Sequence, residues 1–61
     1  MNNIYWTEPF YSHEQNKWQV NKKFKEDTIE KQYFKNKVKA WDFLKTINVY
    51  VDNELVVSKV S

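Results

Sequence analysis

Ser12-His13-Glu14 brings together the residue types of a hydrolytic triad, in which a base takes the proton of a hydroxyl nucleophile and an acid orients the base. Three consecutive residues cannot turn those functional atoms onto one another, because a triad depends on converging geometry and not on adjacency. His13 therefore reads as a solvated turn residue. The acids form no general acid–base couple either. Asp27 stands three before Glu30, the spacing of a capping box, in which each side chain satisfies a backbone N–H at a helix start. Asp52 belongs with Asn53 to a turn, and Asp42 has Lys39 and Lys45 three positions away as pairing partners. The chain has no Cys and a single histidine, so a disulfide, a thiol nucleophile and a zinc set of the usual ligands are excluded. It has no Gly, so a phosphate-cradling loop is excluded too. The expectation is a protein that is not an enzyme and takes no metal or cofactor.

The basic residues point to binding. All ten are Lys, set against eight acids for a net charge of +2. Without Arg the chain lacks the bidentate fork that reads guanine edges and clamps phosphates, which argues against a sequence-specific DNA reader. Lys31, Lys35 and Lys39 recur every four residues, and Lys22, Lys23 and Lys25 cluster. Together with exposed aromatics these lysines suit weak single-stranded nucleic-acid binding, by backbone charge and base stacking. A Lys stripe opposite an apolar helix face is more often just the solvated face. No apolar run approaches the eighteen residues of a membrane span and no basic-then-apolar leader is present, so a cytoplasmic protein is expected.

These side chains must be positioned by a single small domain, residues 1–61. About 60% of the chain's surface is buried at this size, so stability is marginal. Three Trp, four Tyr and four Phe supply the core. Ile4 to Tyr11 is rich in β-formers and reads as an edge strand bent or ended near Pro9. Ser12 to Asn16 is a turn, with Asn16 the first candidate for a left-handed backbone in a chain without Gly. Trp18, Val20 and Phe24 share one face of the next strand while Gln19, Asn21 and Lys23 face water, giving a hairpin over residues 3–25. A helix is expected from Asp27, its cap, to about Thr46. Val49 and Val51, then Leu55 and Val57, alternate with period two about Asp52-Asn53; loops of two, three or four residues all fit, and the three-residue one, setting Val51 opposite Leu55 and Val49 opposite Val57, keeps one face apolar and is the expected register. The expected fold is α+β: a small two-layer ββαββ domain, one helix packed on an antiparallel sheet.

On a helical wheel, that helix has too much apolar surface. Ile29, Tyr33, Ala40, Phe43, Leu44 and Ile47 make one stripe, and Phe34, Val38 and Trp41 a second, together spanning about 220° where roughly 100° suffices to cover a sheet. Either a curved sheet buries both stripes, or Trp41 reaches over the sheet edge, or the second stripe is left free. A free cluster of Phe34, Val38 and Trp41, bordered by Lys37, Lys45 and Glu30, would be an anchor for a protein partner, since exposed aromatics dominate interface hot spots. If both stripes are buried, the binding surface falls to Tyr5, Phe10, Tyr11 and His13 of the first hairpin.

The polar-aromatic N-terminal hairpin, Phe24-Lys25-Glu26-Asp27 ahead of the helix, Val49-Tyr50-Val51-Asp52-Asn53 and Val56-Val57-Ser58-Lys59-Val60 resemble the Dmd antitoxins of T-even-like bacteriophages. The resemblance spans nearly the whole chain, with a shift of a few residues at the helix start. It implies a protein that binds and silences bacterial RNase toxins of the RnlA and LsoA type, which would otherwise destroy phage mRNA. Such inhibition is by direct protein contact in the infected host's cytoplasm, without cofactor or catalysis. An aromatic near the helix start belongs to the family's toxin-facing surface, and the resemblance puts Phe34, or failing that Tyr33, in that place. The partner-binding set expected here is thus Phe34, Val38, Trp41, Tyr33, Lys37 and Glu30.

Overall fold

The computed structural model describes residues 4–60. They form β1 (Ile4–Trp6), β2 (Phe10–Ser12), β3 (Lys17–Phe24), β4 (Asp27–Phe34), α1 (Lys37–Ile47), β5 (Tyr50–Val51), β6 (Glu54–Leu55) and the single turn α2 (Val56–Lys59). The α+β, two-layer class stands, but the element order differs from ββαββ. Asp27 caps no helix. It sits opposite Phe24, and Asp27 to Phe34 is a strand antiparallel to β3. The two-residue turn between them, Lys25-Glu26, is carried by Lys25 at φ 58°. In a chain without Gly, neither this turn nor the end of β4 is marked by a usual breaker. Thr28, Ile29, Tyr33 and Phe34 are β-formers, and pairing along all of β3 overrides their helix-compatible spacing.

Strand β3 organises the sheet. Along one edge it pairs with β4; along the other it pairs first with β2 and then with β1. Strands β1 and β2 are one extended segment broken at Thr7-Glu8-Pro9, as Pro9 requires. Of these two, β2 alone lies at an edge, because β1 continues the sheet through a parallel pairing of Trp6 with Val51 of β5. The hairpin that follows has a two-residue loop, Asp52-Asn53, setting Tyr50 opposite Leu55 and Val51 opposite Glu54. The expected three-residue register fails because Asp52 takes the left-handed conformation at φ 57° and closes the turn early. Beyond Leu55 the chain does not continue as a strand. Val56 hydrogen-bonds from its N–H to the Val49 carbonyl at 3.0 Å and starts α2.

Helix α1 is delimited by two asparagines. The Asn36 side chain accepts from the Lys39 N–H at 2.9 Å, satisfying one of the donors left free in the first turn. Asn48, left-handed at φ 51°, donates its N–H to the Leu44 and Lys45 carbonyls and closes the C-terminus. Between them, Ala40 and Leu44 are buried against Trp6, Val20, Val51 and Val56, with Phe34, Trp41, Phe43, Val49 and Val60 packed around that cluster. Phe43 meets the Trp6 ring edge-on at 5.4 Å between centroids.

Leu44, fully buried at the centre, is the side chain that such a small core can least lose. Leu44→Ala should cost about 2–5 kcal/mol, most of the stability of a domain this size, and leave the chain largely unfolded by circular dichroism at 25 °C. Lys25→Gly should act in the opposite sense. Relief of a left-handed lysine outweighs the added chain entropy, for a gain of up to about 1 kcal/mol, read as a melting temperature several degrees higher.

Candidate binding surface

The residues expected to bind a partner lie on one continuous stretch, β4 and the beginning of α1, but not as a helical stripe. Glu30, Tyr33 and Phe34 are strand residues; Lys37, Val38 and Trp41 belong to the helix. Phe34 faces α1 and lies against Phe43, their centroids 5.1 Å apart, and Trp41 is half-buried against the core. Both therefore hold the fold. Val38 is 68% exposed and remains free. The Lys37 ammonium lies 5.8 Å from the centre of the Trp18 ring, a cation–π contact. Glu30 accepts a hydrogen bond from the Gln32 amide at 2.6 Å. Tyr33, one residue from Phe34 on a strand, faces the other way.

The fallback residues divide in the same manner. Tyr11 packs edge-on against Trp18 on the helix-covered side, and the His13 ring stands edge-on to Tyr11 at 5.0 Å in an exposed turn. Asn16 takes the left-handed backbone of that turn at φ 54°, as its position suggested. Ser12 is engaged in the turn, its hydroxyl accepting from the Gln15 N–H at 3.4 Å. Tyr5 and Phe10, by contrast, lie on the sheet face that no helix covers.

That uncovered face follows from register alone. Directly opposed residues of an antiparallel pair share a face, and successive residues alternate. Trp6, Val20 and Val51 point into the core, so their strand neighbours point away from it. One row across the sheet is Phe10, Gln19 and Tyr33; another pairs Tyr5 with Lys23. The parallel register beside Trp6 and Val51 brings Tyr50 next to Tyr5. Phe10, Tyr33 and Tyr50 are each about two-fifths exposed, while Gln19, flanked by Phe10 and Tyr33, is only 7% exposed and donates to the Asn21 side-chain oxygen at 2.6 Å. Asn21 in turn is fixed by Thr7, whose hydroxyl accepts from the Asn21 N–H at 3.0 Å.

Charge divides between the faces as well. Among the strand lysines, Lys17, Lys23 and Lys31 fall on the open face and Lys22 on the covered side, where it stands opposite Glu30. The strand acids Asp27, Glu30 and Glu54 all fall on the covered side. Lys31, Lys35 and Lys39 do not form a stripe: they belong to β4, the link before α1 and α1 itself. The period-two alternation that turns Gln19, Asn21 and Lys23 away from the core holds, and Tyr33 and Lys31 stand beside Gln19 and Asn21 because residues 27–34 are a strand and not the expected helix. Among the described residues, no group of three or more His, Cys, Asp or Glu could hold a metal ion.

Phe34→Ala and Trp41→Ala should each lower stability by about 1–3 kcal/mol, since both rings close the core. Val38→Ala and Tyr33→Ala should stay within about 0.5 kcal/mol, as exposed substitutions do. Thermal denaturation of the four variants checks the assignment of faces. No protein-family model, curated protein or solved structure matches this chain.

Proposed function

We propose that the chain is a small phage-type antitoxin, which binds and inhibits a bacterial RNase toxin by direct protein contact in the cytoplasm of the infected host. The resemblance to Dmd antitoxins motivates this reading, and one structural observation carries it. Among the described residues β4 pairs only with β3, so one edge of an eight-residue strand is free along the rim of the molecule. A free edge offers unpaired N–H and C=O groups to an incoming strand. Val38, in the first turn of α1 and four residues past the end of β4, is exposed and offers an apolar contact. Glu30 lies on β4 itself, while Lys37, in the first turn of α1, holds its ammonium over the Trp18 ring of β3; both offer charge to a partner that also reaches the covered side. Phe34 and Trp41 act beneath it, holding β4 and α1 together. No helix among the described residues is long and apolar enough to cross a membrane.

The test is inhibition of RNA cleavage by a purified RnlA-type toxin. Near-equimolar chain should suppress cleavage, and the complex should persist at high salt and after nuclease treatment. Val38→Asp should weaken the complex at least tenfold, roughly 1.4 kcal/mol, without changing the melting temperature by more than a few degrees. Undiminished cleavage at a large excess of folded chain would sink the proposal.

A further inference from the structure

The open face of the sheet is unlike an ordinary solvated face. Such faces normally carry Thr, Ser and mixed charges; this one carries Tyr5, Phe10, Tyr33 and Tyr50, with lysines and no acid at its strand positions. We propose that it binds single-stranded nucleic acid, with bases stacked on the aromatic rings and the phosphate backbone held by Lys17, Lys23 and Lys31.

Three observations support that occupant over others. First, the charge is complementary to a polyanion. Lys17, Lys23 and Lys31 contribute three positive charges to a face from which Asp27, Glu30 and Glu54 are excluded by register, although the whole chain carries only +2. The face can therefore attract phosphates even though the protein as a whole is nearly neutral. A second copy of the chain would bring three more lysines against these three, so self-association through this face is opposed by its own charge.

Second, the rings fall at three separated places, Phe10, Tyr33 and the neighbouring pair Tyr5 and Tyr50, each able to take a base. Phe10 and Tyr33 lie two strands apart, about 10 Å, on either side of Gln19. Tyr5 lies beside Lys23, four residues along β3 from Gln19 and thus about 13 Å away. Phe10, Tyr33 and Tyr50 are each about two-fifths exposed and Tyr5 is partly exposed, so aromatic surface is open to a base at each place. Every base has such a face to offer, so recognition of this kind tolerates sequence, as a chain without Arg requires.

Third, the platform is braced. Gln19 is held between Phe10 and Tyr33 and bonded to Asn21, and Asn21 is bonded to Thr7. The side chains between the rings are therefore set before any ligand arrives, and stay polar enough to meet sugar or base edges. Paired bases in a duplex are already stacked on one another and cannot lie on these rings, so a single strand is the favoured form.

The proposal can be tested by fluorescence anisotropy with labelled oligo-dT and oligo-U of about 12 nucleotides, within the range of site sizes known for small single-strand binders. Binding of the whole chain should be evident at low salt. The logarithm of its affinity should fall with that of salt with a slope of about −2, three lysines releasing about 0.7 counterion each. Phe10→Ala and Tyr50→Ala, both distant from the β4 rim, should each lose about fivefold or more, the lower limit for one stacked base. Lys17→Gln, Lys23→Gln and Lys31→Gln combined should abolish the salt-dependent part, and Lys39→Ala and Lys45→Ala on the helix should change little. A duplex of equal length should bind more weakly. Absence of binding at low salt by the folded chain would overturn the proposal, as would binding that the triple lysine variant leaves unchanged. A concentration-dependent dimer dispersed by Phe10→Ala, with no oligonucleotide bound, would overturn it by assigning the face to a second copy. Val38→Asp should leave oligonucleotide binding intact, which separates failure of this surface from failure of the toxin-binding rim.

Discussion

One helix of this length can cover only one face of the sheet, and the rest of the structure follows from that limit. Eleven residues of α1 span about 16 Å, enough for Ala40 and Leu44 to meet Trp6, Val20 and Val51 from a single side. The turn of α2 adds Val56 to the same cluster. Among the described residues no helix is left for the opposite face, whose composition is thereby freed from packing. Tyr, Phe, Lys, Gln and Asn can occupy it without weakening the core, and the strand acids go to the side where the helices and Lys22 offer them company. The asymmetry of the surface is a consequence of where the core sits.

The second constraint is the absence of glycine. Left-handed backbone is needed at four described positions, and Asn16, Lys25, Asn48 and Asp52 supply it. The two asparagines tolerate it through their short polar side chains. Lys25 has no such compensation, and its conformation is sustained by the ladder that the turn connects, seven paired positions between β3 and β4. Above that turn the register slips: Lys22 faces Glu30 and Lys23 faces Thr28, leaving Ile29 as the extra residue of a β-bulge. The bulge twists only the Thr28-Ile29 end of that free edge, leaving Glu30 to Phe34 as the regular stretch open to an incoming strand.

These constraints decide what could be read from the sequence. The period-two run through Trp18 and Val20, the break at Pro9, the left-handed Asn16, the Asp52-Asn53 turn and the burial of Leu44 were legible, because each rests on local chemistry. Strand β4 was not. Asp27 and Glu30 have capping-box spacing, Ile29 and Tyr33 have helical spacing, and no Gly or Pro marks the turn at Lys25-Glu26 or the boundary at Asn36. Only the long partner β3 makes the segment a strand, and that is a tertiary effect. The error carried into the candidate site. Phe34, Val38 and Trp41 form a second stripe only on a wheel that assumes one continuous helix, whereas Tyr33 stands opposite Gln19, with Phe10 beyond it in the same row. The charge division was equally hidden, since a register change of one residue moves every side chain to the other face.

The central claim is that the uncovered, lysine-bearing aromatic face is a binding platform distinct from the helix side. An NMR titration of the isotopically labelled chain with oligo-U measures this residue by residue. The account predicts strand-type chemical shifts from Thr28 to Tyr33, and perturbations concentrated at Phe10, Gln19, Lys23 and Tyr50 with α1 nearly silent. Helical shifts through β4, or perturbations centred on α1 with the sheet face unaffected, would contradict it.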